Sequence, residues 1–412
     1  MKTFIAAIPF FDSNISVEAY RLNFRSGEKL LGMMDSTMKV SDAVLTPGLD
    51  LVKTLGVEPI AGDRPLFIDI NEYHLLMREV PLTLSSSANM LVCVLPNNIL
   101  PDDAVLSRCK ELKELGFGLA VDGFLEGHTN NRLFEMVDTI IVDITDLKTD
   151  KRFINAMANL SRLKKVVLTN IPDMETFEQL NSLTNTLYSG DFYNQPITKG
   201  VSKISPIKIN ALTLLRRINE EDFDLSDIAD TIERDPSLSI SLLRFINTAM
   251  PRKIKSIRNA VAILGQKEVK RWATAAVSIQ LAADRPNEIS KLSLMRARFA
   301  ENLAGSFEMG IHSSSLFLMG LFSLLDVIIE KPMKVAVKEV ALDESVREAL
   351  VDKAGELYKV LEFIYAYERA DWDDVAIIMV RNNLDLDEIN KAFVESLVWY
   401  KSLLDAIGEE ES

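Results

Sequence analysis

The chain has 412 residues, two cysteines (Cys93 and Cys109) and a formal net charge of −14; 48% of its residues are hydrophobic. That length predicts two or three domains, and the composition excludes low-complexity chains and a disulfide-stapled secreted scaffold. The acidic balance argues against a dedicated nucleic-acid binder, which needs a basic face, so nucleic acid is not expected as a partner. Lys2 and a short apolar run broken by Pro9 and Asp12 make a poor signal peptide, and no stretch approaches the ~20 apolar residues of a membrane span. A cytoplasmic protein is expected.

In chain order, short apolar runs recur at Phe4–Phe11, Ala19–Phe24, Leu66–Ile70, Met90–Leu95, Phe117–Val121, Thr139–Ile144, Lys165–Thr169 and Leu187–Phe192. Several are nearly continuous in Val, Ile, Leu and Phe, as strands buried on both faces of a parallel sheet require. The first two, joined by Asp12-Ser13-Asn14, predict a hairpin. Amphipathic stretches such as Asp103–Leu115 fill the later gaps. The alternation predicts an α/β fold, a (β/α) barrel over residues 1–196, with an open doubly wound sheet as the structural alternative.

After Pro196 the strand runs cease. Residues 197–205 form a linker, helical periodicity continues over 206–407 (Ile209–Ile218, Leu225–Ile232, Leu238–Met250, Val269–Ala282, Ser293–Phe307 and beyond), and 408–412 is an acidic tail. Ser or Asp before a charged turn marks helix starts, as at Leu225-Ser226-Asp227 and Asp235-Pro236-Ser237. The second half is predicted all-α, and the two halves are expected to fold separately.

Three segments of the helical half stand together: Asp235-Pro236-Ser237-Leu238-Ser239 running into Leu242-Leu243-Arg244-Phe245-Ile246-Asn247-Thr248-Ala249; Ile254-Lys255-Ser256-Ile257-Arg258-Asn259-Ala260-Val261-Ala262-Ile263-Leu264-Gly265; and Phe317–Asp326. They resemble the HDOD domain, a helical relative of the HD phosphohydrolases without their metal-binding residues. The opening Ile8-Pro9-Phe10-Phe11-Asp12 with Ala19-Tyr20-Arg21-Leu22 and Arg25, the run Leu115–Phe124, and the close at Gly190, Phe192 and Pro196 resemble the EAL domain. That is the cyclic di-GMP phosphodiesterase fold, a TIM-type barrel, and it precedes HDOD in a known two-domain family.

The resemblance implies metal-binding carboxylates at strand ends, and this sequence departs from that pattern. Arg21 stands where the motif glutamate of the second strand is expected, Asp69 where an asparagine is, followed by Asn71. Cys93 and Pro96 replace glutamates of the fourth strand, Gly123 follows Asp122 in place of a second aspartate, and Ile141 precedes a retained Asp143 where a lysine is usual. Thr169 and Pro172 replace the acids of the seventh strand. Arg21, Asp69, Asn71, Asp122 and Asp143 are thus the candidate pocket residues; the three aspartates are expected to pair with Arg21 or cap loops rather than hold a metal. His312 is the only histidine after residue 200 and is followed by Ser313, so an HD-type metal centre cannot be assembled. Neither a catalytic residue, a metal nor a cofactor is expected, and the chain is read as no enzyme.

Arg252–Arg271 holds seven basic residues against one acid, Glu268. Lys253, Lys255, Arg258, Lys267, Lys270 and Arg271 are the candidate partner-binding residues, against the alternative of a solvated face whose stems cover apolar neighbours. A helix-turn-helix reading of Leu225–Ile232 and Leu238–Ile246 fails, because the second helix is apolar on most sides. The resemblance implies a bacterial regulatory role, and with the motif residues replaced the sequence is read as a non-catalytic signalling scaffold that binds protein partners. A cyclic di-GMP-binding sensor or residual phosphodiesterase is the alternative.

Overall fold

The structure, a computed structural model, describes residues 3–26, 52, 56–76, 85–123, 132–145, 147–195, 206–220, 224–249, 253–340 and 342–407. The expected linker, the acidic tail and Arg252 lie outside the described residues. The chain divides into two compact units, one of residues 1–195 with 366–377 and one of 196–365 with 378–412.

In the first unit eight strands close into a barrel in sequence order: β1 (Thr3–Phe11), β2 (Val17–Ser26), β3 (Leu66–Asp69), β4 (Leu91–Pro96), β5 (Gly118–Asp122), β6 (Thr139–Asp143), β7 (Lys165–Ile171) and β8 (Thr186–Gly190). Closure rules out the open doubly wound sheet. The β1–β2 pair is the expected antiparallel hairpin, its turn held by the Asp12 carboxylate, which accepts from the backbone N–H groups of Asn14 and Ser16. From β2 to β8 every joint is parallel. The closing joint is thinner: β1 and β8 are registered at the single pair Phe11↔Tyr188, helped by Ser189 Oγ donating to the Pro9 carbonyl at 2.8 Å. Phe11 also packs against Phe192 and Tyr193, with ring centroids at 5.5 and 4.6 Å.

One buried cluster takes a single residue from each strand: Phe10, Ala19, Phe67, Val94, Ala120, Ile141, Val167 and Leu187. This belt fills the barrel's interior as a packed layer. Because side chains alternate with period two, the residues two places further along the parallel strands form the next inward layer, at the strands' C-terminal ends. Those residues are Arg21, Asp69, Pro96, Asp122, Asp143, Thr169 and Ser189.

Counting helices of seven residues or more, α1 (Asp103–Glu114), α2 (Lys151–Ser161) and α3 (Met174–Leu180) follow β4, β6 and β7. Each starts on an aspartate, Asp102, Asp150 and Asp173, whose carboxylate accepts first-turn N–H groups. Among the described residues after 205 the regular elements are helices: α4 (Pro206–Asn219), α5 (Leu225–Arg234), α6 (Pro236–Ala249), α7 (Ile257–Leu281), α8 (Asn287–Asn302), α9 (Ser313–Phe322), α10 (Glu344–Val351), α11 (Glu356–Glu368), α12 (Trp372–Asn382) and α13 (Leu386–Ile407). Asp224 and Asp235 cap α5 and α6. The helix expected to begin at Val269 is the second part of α7, which bends at Gly265, where φ is +77°. Helices α8 and α9 approach so closely at Gly320 that a Cβ there would sit 2.4 Å from the Arg296 carbonyl. Among the described residues no helix is long and apolar enough to cross a membrane.

Candidate functional site

The mouth layer converges on Arg21. Its Nη2 donates to Asp69 Oδ1 at 2.7 Å and to Asp122 Oδ2 at 2.5 Å, joining β2, β3 and β5 through one nitrogen. The guanidinium is mostly buried, whereas the two carboxylates keep partial access to solvent. Burial works against the Arg21 charge, but the two carboxylates more than offset it, so its pKa rises. Burial pushes the Asp69 carboxyl up, with Arg21 pulling it part of the way back. Arg21 Nε is buried and has no hydrogen-bond partner among the described residues.

Asp143 does not join this ion pair. Its Oδ1 accepts from the Thr145 N–H at 2.8 Å and the Thr145 hydroxyl at 2.6 Å. Partial burial raises its pKa, but the hydrogen bonds from Thr145 and Asn170 outweigh it and leave the carboxyl below its ordinary range. Asn71 Oδ1 accepts from the His74 N–H and so starts a short helix rather than facing Arg21. Cys93 is buried in the β4 wall; burial pushes its thiol up to about 12 and that of Cys109 up to about 11.

Sequence reasoning missed two polar mouth residues. Asn97, just past β4, donates to the Gly123 carbonyl at 2.5 Å, and Gly123 has φ +80°, so a side chain there would be strained and would meet the Asn97 amide. Asn170 holds a left-handed φ of +64° inside β7 and turns its amide to Asp143. The register slip that the β7–β8 ladder shows around it is the only local signal, and it is invisible before the strands are paired.

The EAL resemblance implies divalent ions at this mouth. Among the described residues no group of three or more His, Cys, Asp or Glu is arranged to hold a metal ion, and the Arg21 guanidinium fills the space between Asp69 and Asp122. The described residues do not fit such an ion.

The basic segment of the second unit is not one surface. Arg271 is 13% exposed and bonds Glu268 at 2.5 Å and the buried Glu301, which Arg298 also holds. Arg258 pairs with Asp230 and Glu233. Lys270 Nζ reaches the Glu220 carbonyl and Lys267 Nζ the Ser313 hydroxyl. Lys253, Lys255 and Lys267 are exposed. Asn247 is structural, its amide joining the Leu243 and Ile254 carbonyls and accepting the Ile254 N–H.

A closed barrel with a polar mouth precedes a region of helices, two of which start on capping aspartates. Residues 205–347 match the HDOD domain family model, and the barrel that precedes them is consistent with the EAL–HDOD order that the sequence resembles. The chain is 26% identical over 406 residues to the cyclic di-GMP phosphodiesterase CdgJ of Vibrio cholerae, covering 97% of this chain and 93% of that one. It is 28% identical over 420 residues to the uncharacterized protein YuxH of Bacillus subtilis, covering 98% of this chain and all of that one. Among solved structures it is similar to Klebsiella pneumoniae BlrP1 in its manganese and cyclic di-GMP complex, with a TM-score of 0.40, 17% identity, and coverage of 48% of this chain and 56% of that one. The PaMucR phosphodiesterase in complex with c-di-GMP gives a TM-score of 0.39 at 15% identity, covering 48% of this chain and 97% of that one. The expectation that the chain is no enzyme is corrected by these findings: a relative similar along nearly its whole length is named as a phosphodiesterase. Replacement of individual motif residues, from which that expectation was drawn, does not outweigh a likeness of that extent.

Proposed function

We propose that this chain is a cyclic di-GMP signalling protein whose barrel mouth takes the dinucleotide and whose HDOD half passes the signal to a protein partner. One observation carries the reading. Arg21 is committed through a single nitrogen to two carboxylates, while its Nε–H is buried without a partner among the described residues. A planar guanidinium with spare donors suits a phosphate oxygen, the charged group a cyclic dinucleotide offers. The likeness to CdgJ supports the same ligand.

A second reading, hydrolysis of the dinucleotide at this mouth, is favoured by that relative's name. One experiment addresses both: calorimetric titration of the full chain with cyclic di-GMP, with and without Mg²⁺ or Mn²⁺, followed by chromatography of the nucleotide recovered. Saturable binding that Arg21→Met abolishes supports the mouth reading. Linear product that grows with time and metal supports turnover. Absence of binding and product at millimolar dinucleotide rejects both. For the HDOD half, Lys253, Lys255 and Lys267 are the exposed cations that suit an acidic partner surface. Reversing all three to Glu should weaken capture of such a partner, more so at low salt, with the melting temperature nearly unchanged.

A further inference from the structure

The barrel unit contains a segment from far down the chain. Residues 366–377, the end of α11 and the start of α12, belong to the first unit, while the residues on either side belong to the second. Two aromatic side chains fasten this segment to the β1–β2 hairpin. The Tyr367 hydroxyl, buried, accepts from the Ile5 backbone N–H at 3.3 Å. Trp372 stacks on Phe4 with centroids 5.5 Å apart, meets Tyr367 edge-on at 5.5 Å, and donates its Nε1–H to Asn23 Oδ1 at 3.1 Å. Phe4, Tyr367 and Trp372 are all buried.

The place of attachment matters more than its strength. The β2–β3 ladder stops at Leu22↔Ile68, but the β1–β2 ladder runs on to Thr3↔Ser26. The hairpin therefore extends past its neighbour at the C-terminal end of β2, the end at which Arg21 meets Asp69 and Asp122. Asn23 lies two residues beyond Arg21, on the same face of the strand. Among the described residues no third strand is registered beside that end of the hairpin, and the aromatic contacts and the bonds to Ile5 and Asn23 hold it.

We propose that residues 366–377 are a strap that positions Arg21, with Tyr367 and Trp372 as positioning residues acting through Ile5 and Asn23. As regards the ligand, this rests on the reading of the mouth given above. The strap makes the geometry of the barrel mouth depend on a segment that lies, in sequence, inside the helical half. A protein cut at the 196 boundary would carry β1 and β2 without their clamp. A plain core contact would support the whole barrel evenly; a strap acts on one hairpin.

Hydrogen exchange read by mass spectrometry on the full chain separates these. Asn23→Ala removes only the acceptor of the indole N–H, Trp372→Phe keeps an aromatic ring but not the donor, and Trp372→Ala removes both. Exchange in the peptide covering 17–26 should quicken about fivefold in the first two, the factor a lost hydrogen bond of typical worth gives, and further in the third. Exchange in 165–171, on the other side of the barrel, should not change in Asn23→Ala or Trp372→Phe. Cyclic di-GMP should bind Asn23→Ala several-fold more weakly than the unaltered chain. The proposal is overturned if 17–26 exchanges at its original rate in Asn23→Ala, or if both peptides quicken together in that variant. If the exchange pattern holds but the unaltered chain binds no dinucleotide, the strap stands and the reading of the mouth falls.

Discussion

Replacing Arg21 by methionine keeps the length of the side chain and removes its charge. Asp69 Oδ1 and Asp122 Oδ2 lie 2.7 and 2.5 Å from the same nitrogen, so they are within about 5 Å of each other. Two unit charges at that separation repel by about 3 kcal/mol at an effective dielectric of 20. The carboxylates are 41% and 35% exposed, so solvent screening should reduce this to roughly 1–2 kcal/mol. The sign follows from linkage. A carboxylate facing a like charge takes up its proton more readily when folded than when unfolded, so its contribution favours the fold at low pH and is lost as pH rises through the raised pKa. Arg21→Met should therefore melt roughly 2–8 °C below the unaltered protein at pH 8, taking roughly 2–4 °C per kcal/mol for a unit of this size, and the gap should narrow toward pH 5. Millimolar Mg²⁺ or Mn²⁺ should restore part of the loss in the variant and do little to the unaltered chain, where the guanidinium already neutralises the pair. Equal melting temperatures for variant and parent at pH 8 would refute the argument. So would a deficit that persists undiminished at pH 5, which would mean that Arg21 acts by packing and not by charge.

Tyr367→Phe strips the acceptor from a buried Ile5 N–H and should cost about 1–3 kcal/mol in denaturant melts, with little change in the slope of the transition. Gly190→Ala places a Cβ 2.2 Å from the Ile171 carbonyl oxygen at a φ of +146°, and Gly320→Ala places one against the Arg296 backbone. Each should destabilise by roughly 1–3 kcal/mol or more, read by thermal melting, whereas alanine at Gly305, which has open space around it, should be tolerated. Cys93 and Cys109 should stay unreactive toward a thiol reagent at pH 8 and titrate fully only in denaturant, because both are buried with thiols pushed up to about 12 and 11.

The strands were legible because burial on both faces demands unbroken Val, Ile, Leu and Phe, and all eight predicted runs match the observed strands to within two residues at either end, as in Thr139–Ile144 against Thr139–Asp143. The mouth was legible to the same degree: once Phe67 and Ala120 are taken as inward, Asp69 and Asp122 follow by period two. What the pattern could not supply was pairing. Nothing local to Asp143 says that it binds Thr145 and Asn170 instead of Arg21, since that depends on where β7 slips its register. The burial of Arg271 was hidden for a related reason: its partner Glu301 lies on another helix, so a run of basic residues read as one face was divided between solvent and interior. The Tyr367 and Trp372 contacts join residues more than 340 positions apart, a distance over which periodicity carries no information.

The barrel's closing joint has a mechanical consequence. Seven of its eight strand pairs are ladders of three or more registered positions, and the eighth is one registered pair, a serine hydroxyl and a few aromatic rings. Such a wall behaves less like a hoop than like a split washer, whose aperture is set by how far the cut ends stand apart. Widening it means sliding Phe11 past Tyr193 while every other ladder stays zipped, at the cost of one registered backbone pair, the Ser189 bond to Pro9 and side-chain contacts, and not of a whole ladder.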